Sequence, residues 1–172
     1  MNTTAVKLIK GMSAFIATLL ILFGAKFLWQ NYSITIPLNK ELMIIGEVEK
    51  IIVEKPLKIH EPVSIIVSLN NVSNFQKTYT EINEKVAQAL KSRDYTIHIN
   101  DNSTDELDKL YTDIRLYVEK SLIDGNFPEL VEKGQKLAEA INAETIISID
   151  DIYIYVHIAK NDKDLYKLVP RR

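Results

Sequence analysis

Residues 11–29 read GMSAFIATLLILFGAKFLW, nineteen residues whose only charge is Lys26. At about 1.5 Å per residue such a helix is roughly 28 Å long, close to the thickness of a bilayer's hydrocarbon core. A buried core helix would carry a polar stripe, and none interrupts Gly11 to Ala25. A cleaved signal peptide needs a small residue three positions before its cut, and a cut after Ala25 would place Phe23 there. No cysteine is present for lipid attachment. The run therefore predicts one uncleaved transmembrane helix.

The flanks set its boundaries and direction. Lys10 and Lys26 can snorkel to the two interfaces, and Trp29 and Tyr32 fall where an aromatic belt belongs. Lys7, Lys10 and the amino terminus precede the span, against Lys26 and Lys40 after it. The positive-inside rule then gives a short cytoplasmic tail (1–10), the span (11–29), a membrane-proximal connector (30–62) and an extracytoplasmic domain (63–172). The expected location is the cell membrane, crossed once.

The whole chain carries a formal charge of −2. That figure is an average of two unlike parts. Lys7, Lys10 and Lys26 leave with the anchor, so residues 30–172 hold 18 basic and 23 acidic residues, a net −5. A domain this acidic is not drawn to nucleic acid or to anionic lipid by charge. The absence of cysteine excludes disulfides, thiolate metal sites and a cysteine nucleophile. At 47% hydrophobic residues the chain is too apolar for wholesale disorder.

In residues 33–62, Pro37, Pro56 and Pro62 bracket an apolar run. Over 39–55, helix and strand fit equally: Ile45, Val48, Ile52 and Ile59 have helical spacing, while the β-branched content suits a strand. From Val63 the pattern is clear. VSIIVSL (63–69) is a strand, and Phe75, Tyr79, Ile82, Val86 and Leu90 mark a helix over about 74–91, with Ser73 and Gln76 as its capping box. YTIHI (95–99) is a strand. A helix over about 104–123 follows, capped by Ser103 and Glu106 and closed at Asp124-Gly125. Pro128 opens a third helix in which Gly134 and Ala138 predict a close neighbour. Strands at 145–149, 152–159 and 165–169 complete a β-α-β-α-α-β-β-β order.

This order predicts an α+β or α/β two-layer sandwich with a mixed sheet and helices mainly on one face. Ile65, Val67 and Leu69 alternate with Ser64, Ile66 and Ser68; Tyr95, Ile97 and Ile99 alternate with Thr96, His98 and Asn100. Ile152, Ile154, Val156 and Ile158 oppose Tyr153, Tyr155 and His157. One oily and one polar face per strand implies cover on one side only. Ile149 and Ile152 cannot share a face on a regular strand, so a turn or bulge belongs at Asp150-Asp151.

The polar positions Ser64, Ser68, Thr96, His98, Tyr153, Tyr155 and His157 form the candidate interaction face. Two histidines without a third ligand make no zinc signature, and nucleophile elbow, P-loop and H-E-x-x-H patterns are absent from the sequence. No metal, cofactor or catalytic residue is expected, and Asp150 with Asp151 reads as a turn former. Tyrosine offers a large contact area at small entropy cost, which suits a binding surface. Residues 165–169 are a candidate edge for an added strand. Asn2, Asn31, Asn71 and Asn102 head N-x-S/T sequons, which matter only on a eukaryotic secretory route.

The cadence VSIIVSL, VAQAL, YTIHI, then GQKLAEAINAETIISI and the closing hairpin, about residues 63–169, resembles the amino-terminal α/β domain of the TolB family of the Tol–Pal system and related envelope-assembly lipoproteins. The resemblance implies a fold and transfers no functional residue. Those proteins carry a signal peptide or lipid anchor where this chain retains its apolar helix. The expected function is a membrane-anchored protein-interaction or assembly accessory of the bacterial cell envelope, with an envelope partner or self-association and no nucleic acid. The alternatives are a ligand sensor or enzyme built on the His/Tyr face, and a ring or stalk component.

Overall fold

The computed structural model describes residues 3–30, 35–54, 61–91 and 93–171, with the side chains of the first helix described over 12–25. The elements are α1 (Thr3–Gln30), α2 (Ile36–Leu42), β1 (Val48–Glu54), β2 (Val63–Leu69), α3 (Phe75–Leu90), β3 (Tyr95–Asn100), α4 (Asp105–Asp124), α5 (Phe127–Glu139), β4 (Glu144–Ile149), β5 (Tyr153–Lys160) and β6 (Lys163–Pro170). Helices and strands thus mix as an α+β fold. The strands form two three-stranded sheets, β1-β2-β3 and β4-β5-β6, instead of the single mixed sheet expected.

Helix α1 is 28 residues long, and its side chains over 12–25 are exposed throughout. Among the described residues no helix is long and apolar enough to cross a membrane. The transmembrane helix expected at 11–29 therefore draws no support from the described residues.

The segment that fitted helix and strand equally is both in turn. Pro37 stands in the first turn of α2, where a missing N–H costs nothing, and the chain then turns into β1. β1 pairs antiparallel with β2, Ile52 opposite Ile66, with a register shift between Val48 and Lys50. Leu38 and Leu42 are fully buried and Ile45 and Val48 nearly so, in one cluster with β2 and α3. The expected connector at 30–62 therefore contributes core from α2 onward. Sequence periodicity missed this because α2 is too short to show a repeat.

β2 and β3 are parallel and joined through α3, as a strand–helix–strand unit requires. Asn74 is the N-cap of α3, its side chain accepting from the Lys77 N–H at 3.0 Å, and Thr104 caps α4 by accepting from Leu107. Both expected caps, Ser73 and Ser103, sit one residue early. Their hydroxyls bond Glu47 and Asp108 instead. Gly125 closes α4 at φ +73, a left-handed turn that favours glycine. α5 lies so close to β4 that a Cβ on Gly134 would meet Ile147 Cδ1 at 2.7 Å.

β4, β5 and β6 form an antiparallel meander. Ile154, Val156, Ile158 and Leu165 pack in one cluster with Leu107, Leu110, Ile114 and Val118 of α4 and with Leu130 and Ala138 of α5. Tyr155 and Tyr166 leave the other face and join the α2–α3 cluster. Helices therefore cover both faces of this sheet, against the expectation of cover on one. The two sheets are clamped at residues 101 and 102. Asn102 donates to the Asp162 carbonyl at 3.0 Å and accepts from the Asp164 N–H at 2.7 Å, while Lys167 donates to Asp101 at 3.1 Å.

Candidate functional site

In the first sheet alternation works as the sequence implies. β2 buries Val63, Ile65, Val67 and Leu69 and leaves Ser64, Ile66 and Ser68 part-exposed. On β3, Thr96, His98 and Asn100 are exposed while Tyr95, Ile97 and Ile99 pack inward. The register puts His98 beside Ile66, Thr96 beside Ser64, and Asn100 beside Ser68, to whose hydroxyl its amide donates at 3.2 Å. β1 adds Lys50, Ile52 and Glu54 to the same face, opposite Ser68, Ile66 and Ser64. Ile52 is 43% exposed. The result is a continuous face of mixed polarity, with two isoleucines at its middle, that carries four of the predicted residues: Ser64, Ser68, Thr96 and His98.

The other three are elsewhere. Tyr155 and His157 are buried and Tyr153 is half-buried, so the solvated face expected on β5 does not exist. The rings of Tyr153 and Tyr155 meet Tyr79 of α3 at 5.9 and 6.0 Å, and Phe75 packs edge-on to Tyr155 at 5.9 Å. Such contacts bury much area while leaving each polar tip a route to a partner. Tyr155 donates to Asp150 at 2.7 Å, and His157 Nε2 lies 2.8 Å from Asp164 Oδ1. An amphipathic side chain whose tip is satisfied internally reads, in sequence, like one satisfied by water. The missed signal was the pairing of Tyr and His with acidic residues at both ends of the strand.

Burial moves the phenols. Tyr79 and Tyr155 are raised well above the ordinary tyrosine value by desolvation, reinforced by Tyr153 for Tyr79 and by Asp150 for Tyr155. Tyr166 is raised in the same way by desolvation, with Asp164 adding repulsion; among the described residues its hydroxyl has no well-formed hydrogen bond, though Asp164 and the Val72 backbone stand close enough to bear on it. For Asp150, burial pushes the carboxyl up. Hydrogen bonds from Tyr155 and from the Tyr153 and Ile152 N–H groups outweigh that push and hold it below the usual range. Asp150 is thus the turn former expected, fastening the β4–β5 corner. Arg171 reinforces the corner through the Ile152 and Asp150 carbonyls and covers the Phe127 ring at 4.7 Å.

His157 and Asp164 also line a cavity of about 380 Å³. Its walls include Asn70, Asn71 and Ser73 from the loop after β2, and Glu144 and Ile146 from β4. His157 stacks on Tyr166 at 4.7 Å, which fixes the imidazole plane. A carboxylate only accepts, so in the ionised pair Nε2 carries the proton. This pair could relay a proton, but Ser73 donates to Glu47 at 3.4 Å and is not set against the imidazole as a nucleophile. His98 does not line this cavity. It faces away from α3 on its own sheet, whereas His157 lies on the α3 side of the other. Among the described residues no group of three or more His, Asp or Glu is placed to hold a metal ion.

The expected anchor residues Lys10, Lys26, Trp29 and Tyr32 have side chains outside the described residues. The candidate edge, β6, is paired with β5 on one side, and Asn102 takes its Asp164 N–H on the other. β6 is an outer strand of its sheet, as expected, and β1, β3 and β4 are the other outer strands. Comparison with family models, with characterised proteins and with solved structures found no match.

Proposed function

We propose that this chain is a membrane-anchored, extracytoplasmic interaction domain of the bacterial cell envelope, acting as an accessory in protein assembly. The observation that carries the reading is the uncovered second face of β1-β2-β3. Among the described residues, helices pack on the other side of that sheet and on both sides of its neighbour and leave this sheet surface open. Ile52 and Ile66 supply apolar contact, and Lys50, Glu54, Ser64, Ser68, Thr96, His98 and Asn100 supply a polar surround, the composition of a non-obligate interface. The apolar, exposed character of α1 over 12–25 supports anchorage, because a helix oily on all sides needs a protein or lipid environment. The thin lysine excess before the span supports a cytoplasmic amino terminus.

The rival reading, a sensor or enzyme built on both histidines, draws no support from two imidazoles on differently oriented faces. Self-association through the open face is the nearer alternative, and it shares the same surface. A photo-crosslinking residue placed at Thr96 or His98 of the full chain in its native membrane tests the proposal, with Ile123 on α4 as reference. Adducts of defined mass at 96 and 98, absent at 123, are expected. Adducts at twice the chain's own mass would assign the face to self-association, and none at either position would sink the interaction reading.

A further inference from the structure

We propose that the exposed stripe of α2 and its C-terminal turn rests on the lipid interface beside the anchor. The inference depends on the anchoring reading above and deepens it by naming a second contact with the membrane.

α2 and the turn that follows it are apolar on two sides. Leu38, Leu42 and Ile45, spaced i, i+4 and i+7, are buried in the α3 cluster. Ile36, Lys40, Met43 and Ile44, spaced i, i+4, i+7 and i+8, lie on the outer side. Ile36, Met43 and Ile44 are 52%, 54% and 66% exposed. Three large apolar side chains along one short stripe are poorly placed in water. The neighbouring charge is already engaged, since Glu41 pairs with Lys85 at 3.7 Å. Lys40 is the one charge on the stripe, and its stem suits an interface where the ammonium reaches phosphate while the methylenes stay with the acyl chains.

Chain length places the stripe. α1 ends at Gln30 and α2 begins at Ile36. The five intervening residues reach at most about 18 Å when fully extended. If Trp29 and Tyr32 mark the headgroup level, the start of α2 cannot leave its vicinity. The end of the domain that the tether holds nearest the bilayer is therefore the end bearing exposed Ile, Met and Ile. Because residues 30–172 carry a net −5, attraction to anionic lipid is not the driving force. The contact is apolar insertion and needs no anionic headgroup.

The absence of native cysteine makes the test direct. The full chain is reconstituted into nanodiscs of zwitterionic lipid as single-cysteine variants Met43→Cys, Ile44→Cys and Ile123→Cys, each carrying an environment-sensitive fluorophore. Ile123, 88% exposed on α4, is the water-facing reference. Blue-shifted emission at 43 and 44, quenched by doxyl-labelled lipid and unlike that at 123, is the expected result. Incorporation with water-like emission at 44 overturns this contact and leaves the anchor standing. A blue shift that doxyl lipid does not quench means protein covers the stripe, and also overturns it. A chain that fails to enter nanodiscs overturns both readings.

Discussion

The Tyr155 phenol donates to Oδ2 of Asp150 at 2.7 Å, while Oδ1 of the same carboxylate accepts the Ile152 and Tyr153 N–H groups at 2.7 and 2.8 Å. One acidic side chain thus turns the chain from β4 into β5 and satisfies the tip of a buried aromatic ring. Asp150→Asn keeps the shape and removes the charge, and is expected to cost about 1–2 kcal/mol at neutral pH. The folded state holds this carboxyl below its ordinary value, so its contribution is complete above the unfolded pKa, about 3.9. The contribution disappears as pH falls through the folded value. Urea unfolding of both proteins from pH 7 down to pH 3 should show the gap narrowing below about pH 4; a gap independent of pH would refute the assignment.

Asn102 ties the two sheets together by using both ends of its amide on the β5–β6 turn region. Asn102→Ala removes an acceptor for the Asp164 N–H and a donor to the Asp162 carbonyl, and is expected to cost about 1–3 kcal/mol. Amide hydrogen exchange should quicken at Asp164 more than at Ile158, in the middle of β5. Uniform quickening would instead mean that the clamp is not local.

Tyr166 offers the opposite case. Its ring is buried between Phe75 and His157, at 5.0 and 4.7 Å, and among the described residues its hydroxyl makes no well-formed hydrogen bond. Tyr166→Phe retains the packing and deletes a buried polar atom that lacks a well-formed partner, so thermal and urea unfolding should find the variant more stable by about 1 kcal/mol. A loss of similar size would show that the phenol is hydrogen-bonded in solution.

Two effects oppose each other at Gly134. Alanine gains about 1 kcal/mol of helix propensity over glycine. Its Cβ would meet the tip of Ile147, a part-exposed side chain able to turn away for about 0.5–1.5 kcal/mol if it leaves its rotamer. Gly134→Ala should therefore lie within about 1 kcal/mol of wild type, whereas Gly134→Leu has no such escape and should lose about 1–3 kcal/mol. Equal tolerance of both would mean α5 stands further from β4.

Leu38 measures where the folded unit begins. It is fully buried against the α3 cluster, so Leu38→Ala is expected to destabilise by about 2–5 kcal/mol, as in any well-packed core. Denaturant titration of the variant gives the value. A loss under about 0.5 kcal/mol, typical of surface positions, would return this stretch to the role of a connector.

Legibility followed periodicity. α3, α4 and α5 have three or more turns of apolar spacing, and all three were readable, as were the five strands from Val63 onward. Cap positions slipped by one residue at Ser73 and Ser103 because Asn74 and Thr104 are equally good caps and only backbone angles choose between neighbours. The open face was half legible. Ser64, Ser68, Thr96 and His98 lie where alternation put them, while β1, the strand that completes this face, lay in the stretch where β-branched residues and helical spacing gave opposite signals.

Local pattern alone determined the apolar run at 11–29, the order of elements after Val63, the inward and outward sides of β2 and β3, and the turn at Asp150. These follow from spacing along the chain, which a helix or strand converts directly into a direction in space. What covers each outward side depends on residues far away in sequence. Tyr155 and His157 are inside because α3 crosses to their sheet and because Asp150 and Asp164 satisfy their tips. His98, equally polar and also on a strand, is outside because no helix among the described residues packs over it. Tertiary packing made that choice, since a polar aromatic group is stable in water or in a dry site with a partner, and its own sequence neighbours do not say which it will meet.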